Sequence, residues 1–199
     1  NLTKEENGYL PDLDHIPEET LKRAKYMIVS YPLNPVCVCA PDEFYPKLID
    51  FAKKNEIVIL HDNAYSDIIY TRKQGRSFLS FEGAKEVGVE FYSLSKSYNL
   101  TGARISFVVG NREIIEKFRT LRSQIDYGIF LPIQYAAIAA LTGPDDFIEE
   151  QRQQYEARTV HYVAVSERLD GMCRTARERC SYGRRSRRDM NLQPISVSD

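Results

Sequence analysis

The stretch "FYSLSKSYNLTGARIS", residues 91–106, decides how the rest of the chain reads. Lys96 follows an apolar, strand-like run and stands between Ser95 and Ser97. Ser93 lies three residues before it and Arg104 eight residues after. A solvated surface lysine, the ordinary fate of that residue, needs no such company. A strand that stops in a cluster of small hydroxyl residues, with Gly102 to admit a close backbone approach, is instead the form of a ligand-binding loop.

Working outward, the segments around it alternate between two periods. "KYMIVSYPLNP" (residues 25–35) is an apolar run stopped by prolines, hence strand then turn. In "PDEFYPKLIDFAKKNE" (41–56), Phe44, Leu48, Ile49 and Ala52 recur at helical spacing, and Pro41 and Asp42 suit a helix start. "IVIL" (57–60) has no polar face, which predicts a strand covered on both sides. "VEFYSLS" (89–95) and "ARISFVVG" (103–110) read as two more strands. Helices are predicted over 112–124, over the alanine-rich 132–143, and from the Pro144–Asp145 start signal to Leu169. Such alternation implies an α/β domain, in which ligands bind beyond the carboxyl ends of the strands. "SYPLNP", "HDNAYSD" and "SLSKSYN" all fall at predicted strand ends, so they can converge on one crevice.

That convergence has a chemical reading. An amine such as that of Lys96 can form a Schiff base with an aldehyde. Arg104 offers a planar fork for a phosphate, and Ser93 and Ser95 offer hydroxyls. Covalent amine plus phosphate anchor is what pyridoxal 5'-phosphate requires. The ring nitrogen of that cofactor also needs a carboxylate, whose ion pair raises the pyridinium pKa. Asp62 follows the buried run 57–60 and is placed to reach it. Tyr65 and Asn34 can meet the ring hydroxyl. Taken singly, Asp62 is equally a cap and Asn34 a common turn residue. His61 should point away from the Asp62 side, as a core or second-layer histidine. Phe91 and Tyr92 read as sheet residues, and Asp145, Asp146, Glu149 and Glu150 as helix-start charges.

The bulk numbers set limits. The chain has 199 residues, 43% hydrophobic and 28% charged, as in ordinary globular proteins. A net charge of −1 gives no sign of nucleic-acid or membrane binding, and no apolar run is long enough to span a bilayer. No secretory signal is expected from "NLTKEENGYL". Cys37, Cys39, Cys173 and Cys180 form no metal set, so no metal is expected and the setting reads as reducing and cytoplasmic. Residues 171–199 are rich in arginine without an apolar period. They read as a disordered tail or as sequence of other origin, with a basic nucleic-acid arm as the alternative.

Together these residues resemble the class I/II aminotransferases of fold type I, which use pyridoxal phosphate. "YPLNP" resembles the family's tyrosine-proline-x-asparagine-proline segment, "HDNAYSDIIY" its aspartate-x-alanine-tyrosine block, and "SLSKSYNLTGARIS" its lysine block. Three blocks in this order are highly specific. Among family members, "ENGYLPDLDHIPEE" and "GIFLPIQYAAIAALTGP" look most like the LL-diaminopimelate aminotransferases; alanine and aspartate aminotransferases are near alternatives.

The resemblance implies an incomplete three-layer α/β/α large domain, its sheet mostly parallel with one antiparallel strand. Residues 1–143 would form part of that cofactor-binding domain, 144–170 a long connecting helix, and 171–199 the arginine-rich tail. It implies Lys96 as the Schiff-base lysine and proton carrier, and Asp62 at the pyridine nitrogen. Asn34 and Tyr65 would meet the ring hydroxyl, and Ser93, Ser95 and Arg104 the phosphate. The substrates would be an amino acid, glutamate, and a 2-oxo acid of the lysine pathway, and the intact enzyme a homodimer. The resemblance also marks departures. Val36 and Cys37 stand where the family has threonine-glycine, and Ser106 stands where a glycine commonly ends the lysine block. The match corresponds to about half of a family member, without its glycine-containing phosphate loop, ring-stacking aromatic or substrate-gripping arginine. An inactive truncated fragment is therefore the second reading.

Overall fold

The computed structural model describes residues 4–70 and 75–170, from 163 onward by backbone alone. The arginine-rich stretch 171–199 lies outside the described residues.

Four strands form one sheet in the order β1 (Tyr26–Ser30), β2 (Val58–Asp62), β3 (Gly88–Ser93) and β4 (Ser106–Gly110). The first three run parallel and β4 runs antiparallel to β3, as the fold-type I resemblance implies. The helices are α1 (Glu18–Arg23), α2 (Phe44–Asn55), α3 (Ala84–Val87), α4 (Leu94–Ser97), α5 (Arg112–Arg122), α6 (Leu131–Thr142) and α7 (Asp146–Asp170). None is long and apolar enough to cross a membrane among the described residues.

Helix α2 closes the core. Phe44, Tyr45, Leu48, Ile49 and Ala52 recur at three- and four-residue steps and are all buried. They pack with Val29, Ile59 and Phe78, and Tyr45 meets the His61 ring at 5.7 Å. The helix begins later than its Pro41–Asp42 signal suggests. The Phe44 amide donates to the Pro41 carbonyl at 3.0 Å, which makes a turn of that segment, and Asp42 pairs with Arg76 instead.

This packing corrects one expectation. β2 is not covered equally on both faces. Ile59 and His61 are fully buried, whereas Val58 and Leu60 on the opposite face are only half-buried. Their β1 neighbours in register, Tyr26 and Ile28, are 63% and 68% exposed. The apolar run identified a strand; only the placement of α2 against one face decided which side chains lose contact with water.

Gly88 and Gly110 let β2, β3 and β4 approach closely. A Cβ at Gly88 would stand 2.5 Å from the Ile59 carbonyl oxygen. Gly110, at φ +134°, would place one 2.7 Å from that of Gly88.

The last two predicted strands are shorter than their apolar runs. β3 stops at Ser93, whose hydroxyl accepts from the Ser95 amide at 3.2 Å and so starts α4. β4 starts only at Ser106, after a turn in which Arg104 adopts φ +53°. α6 carries apolar residues on exposed and buried sides alike: Ala137 is buried while Tyr135 and Ile138 are exposed.

Candidate active site

The carboxyl edge of the sheet collects the predicted site residues. Asp62 is the last residue of β2 and Ser93 the last of β3. Asn34 follows β1 by four residues, and the α4 turn carries Lys96 directly after β3. Because β4 is antiparallel, its first residue, Ser106, pairs with Ser93. Arg104, two residues earlier, therefore sits at the same edge.

Contacts tie part of this set together. Asn34 Nδ2 donates to the Tyr65 hydroxyl at 3.0 Å, joining the loop after β1 to the loop after β2. Lys96 Nζ lies 5.9 Å from the centre of the Tyr65 ring, within cation–π range. Ser95 is buried, and its carbonyl accepts from Thr101 Oγ1 at 3.0 Å, which folds the loop after Lys96 back on itself. Arg104 is exposed, and its Nη1 donates to the Thr101 carbonyl at 3.3 Å.

Asp62 is open to solvent along its side chain, yet protein atoms crowd its carboxyl group. Loss of hydration raises its pKa, and the neighbouring His61 pulls weakly the other way. His61 itself is a core residue, as its position in the strand predicts. It is fully buried, stacks on Phe78 at 5.6 Å, and holds Nδ1 3.2 Å from Glu90 Oε2, off the line of a good hydrogen bond. His61 and Glu90 are paired in register, so both lie on the sheet face opposite Asp62.

The departures from the family pattern leave a mark on the backbone. Cys37, at the position for which the resemblance implies glycine, is held at φ +62°, the left-handed region that glycine favours.

Sequence reasoning missed a cluster beside the lysine turn. Ser97 Oγ donates to Asp67 Oδ2 at 2.6 Å, and the Tyr92 hydroxyl donates to the same oxygen. Gln151, from α7, donates through Nε2 to the Lys96 carbonyl at 2.5 Å. Tyr92 was expected to be a sheet residue, and it is one whose hydroxyl reaches this cluster. The signal available was adjacency, since Asp67 follows Tyr65 by two residues and Ser97 follows Lys96 directly. Glu149, expected as a helix-start charge, pairs with Arg152 at 2.7 Å.

The groups gathered at this edge are an amine, a phenol–amide pair, a carboxylate, and hydroxyls with a guanidinium, the kinds of group that could hold pyridoxal phosphate. The group supplies, when bound, an electron sink for an amino acid's α-carbon.

Comparison with known proteins identifies the family. The family described as "Aminotransferase class I and II" matches residues 2–172. The LL-diaminopimelate aminotransferase of Halothermothrix orenii is 50% identical over 154 residues, 77% of this chain and 40% of its own length. That of Methanocaldococcus jannaschii is 47% identical over 161 residues, 81% of this chain and 38% of its own. Among solved structures, BacF of Bacillus subtilis superposes with a TM-score of 0.81 at 40% identity, over 84% of this chain and 44% of its own. A probable N-succinyldiaminopimelate aminotransferase of Thermus thermophilus gives 0.78 at 30% identity, over 87% and 46%. The chain thus spans less than half the length of these relatives. Sheet order and similarity over most of the chain agree: it belongs to the class I and II aminotransferases.

Proposed function

We propose that the protein is a pyridoxal-phosphate-dependent aminotransferase that moves an amino group between glutamate and a 2-oxo acid. The observation that carries this reading is the meeting of three loops at the carboxyl edge of the sheet. Asn34 bonds Tyr65, and the Lys96 amine lies against the Tyr65 ring. In this reading Lys96 would hold the cofactor's aldehyde carbon and, once the substrate's amino group has taken its place there, its freed amine would move a proton between the substrate α-carbon and the cofactor. Asp62 keeps a proton on the ring nitrogen. Asn34 and Tyr65 orient the ring hydroxyl, and Ser93, Ser95 and Arg104 hold the phosphate. The relatives named LL-diaminopimelate aminotransferase favour a lysine-pathway 2-oxo acid, over the alanine or aspartate chemistry of other family members.

The test is to add pyridoxal phosphate to the chain, reduce with borohydride, and map the adduct by mass spectrometry. Attachment at Lys96, lost in Lys96→Ala, is the expected result. No adduct, or one unchanged in Lys96→Ala, refutes the reading. Turnover of glutamate with a panel of 2-oxo acids then identifies the substrate. Because the chain spans about two-fifths of its relatives, a second reading is that this stretch holds the cofactor without turning over. Adduct without turnover supports it. A homodimer is proposed for the whole protein, and sedimentation measures it.

A further inference from the structure

We propose that Asp67, Tyr92 and Ser97 form a positioning cluster that sets where the Lys96 amine stands, an inference that rests on Lys96 being the cofactor-holding residue. Lys96 belongs to a helix of four residues, α4, and a single turn does not hold itself in water. Something else must fix it. Ser97 is 1% exposed, and its hydroxyl donates to Asp67 Oδ2 at 2.6 Å. The Tyr92 hydroxyl, from the end of β3, donates to the same oxygen and lies 3.0 Å from Ser97 Oγ. Asp67 sits in the 3-10 turn Ser66–Ile68, directly after Tyr65. One carboxylate oxygen therefore joins the strand end, the lysine turn and the segment bearing the Tyr65 ring.

The Lys96 amine stands 5.9 Å from the centre of that ring. Two part-buried hydroxyl donors that share one carboxylate oxygen tie their segments together at a single point. Burial, with the Asp67 carboxylate beside it, pushes the Tyr92 hydroxyl pKa up, so that hydroxyl remains a donor. Gln151, 5% exposed, holds the Lys96 carbonyl from α7. The turn is thus gripped from two sides while its amine projects toward Tyr65. None of the three cluster residues is among those read as holding the cofactor, so their effect is on placement.

The experiment uses the 199-residue chain without cofactor. Each lysine is labelled with trace acetic anhydride across a pH series, and Lys96 is scored against exposed Lys47 in the same molecule. Ser97→Ala should change the Lys96 pH profile and speed its labelling about tenfold at neutral pH, the scale set by losing a bond to a carboxylate. Tyr92→Phe should act in the same direction, Ser97→Thr should restore the original profile, and Lys47 should not change. An unaltered Lys96 profile in Ser97→Ala and Tyr92→Phe overturns the proposal. So does a change shared equally by Lys47, which marks general loosening. Borohydride trapping of pyridoxal phosphate is scored separately. Its failure in the unaltered chain refutes the cofactor reading, whereas the acetylation profile alone decides the cluster.

Discussion

Replacing Glu90 by Gln separates the framework of the site from its chemistry. Glu90 is 5% exposed and accepts from Ser77 Oγ at 2.8 Å and from the Phe78 amide at 2.7 Å. Burial alone would raise its pKa; His61, Ser77 and Asn63 outweigh that and hold it below the ordinary glutamate value of 4.5. Each charge-assisted bond contributes about 1.5–3 kcal/mol. An amide keeps one acceptor oxygen and turns its NH2 toward the other donor, so Glu90→Gln should lose about 2–4 kcal/mol. Against a total stability of about 5–15 kcal/mol the chain stays folded, with its urea midpoint lowered by about 1–2 M. The pH dependence follows from the lowered pKa. The stabilisation from Glu90 is fully present above 4.5 and is lost as pH falls through the folded value. The gap between the two proteins should therefore narrow on acidification. Urea unfolding followed by circular dichroism at pH 7 and pH 4 measures both effects. Because Glu90 faces away from Asp62 across the sheet, cofactor trapping at Lys96 should survive in folded Glu90→Gln. A midpoint at pH 7 within about 0.3 M of the unaltered chain, or a gap that widens in acid, would refute this reasoning.

Asp62→Asn should show the opposite pattern. Its carboxyl pKa is raised by burial, so the charged form weakens the fold as pH rises through that pKa. At pH 7 the variant should match or exceed the unaltered chain, within about 1 kcal/mol, while losing pyridoxal phosphate capture; a clear loss of stability would mark Asp62 as structural. Leu48→Ala, at a fully buried α2 position, should cost about 2–5 kcal/mol by urea unfolding. Gly110→Ala should cost about 1–3 kcal/mol, since its Cβ would press the Gly88 carbonyl at a positive φ. A melting temperature equal to that of the unaltered chain would show that the β3–β4 pair can shift apart.

Legibility differed between kinds of residue. The four strands and the long helices were readable because apolar period is a local property, carried by residues a few positions apart. The placement of Lys96, Asp62, Tyr65 and Asn34 at one edge was readable because strand ends lie there, and each residue stood in a recognisable block. The cluster of Asp67, Tyr92 and Ser97 was not, since its bonds cross 30 and 25 residues and involve types that are common anywhere. His61 came out correctly, because alternation along a strand separates neighbours onto opposite faces. The expectation that residues 57–60 would be covered on both sides was not met, because an apolar run does not say what packs against it.

The sequence by itself determined the order of elements, the α/β class and the amine–carboxylate–guanidinium set at the strand ends, all of which depend on short-range pattern. Tertiary structure alone decided which sheet face α2 covers, which carboxylate joins the lysine turn to the tyrosine loop, and which glutamate is buried beneath the sheet. Those depend on pair distances between segments far apart in the chain, and no local period encodes them.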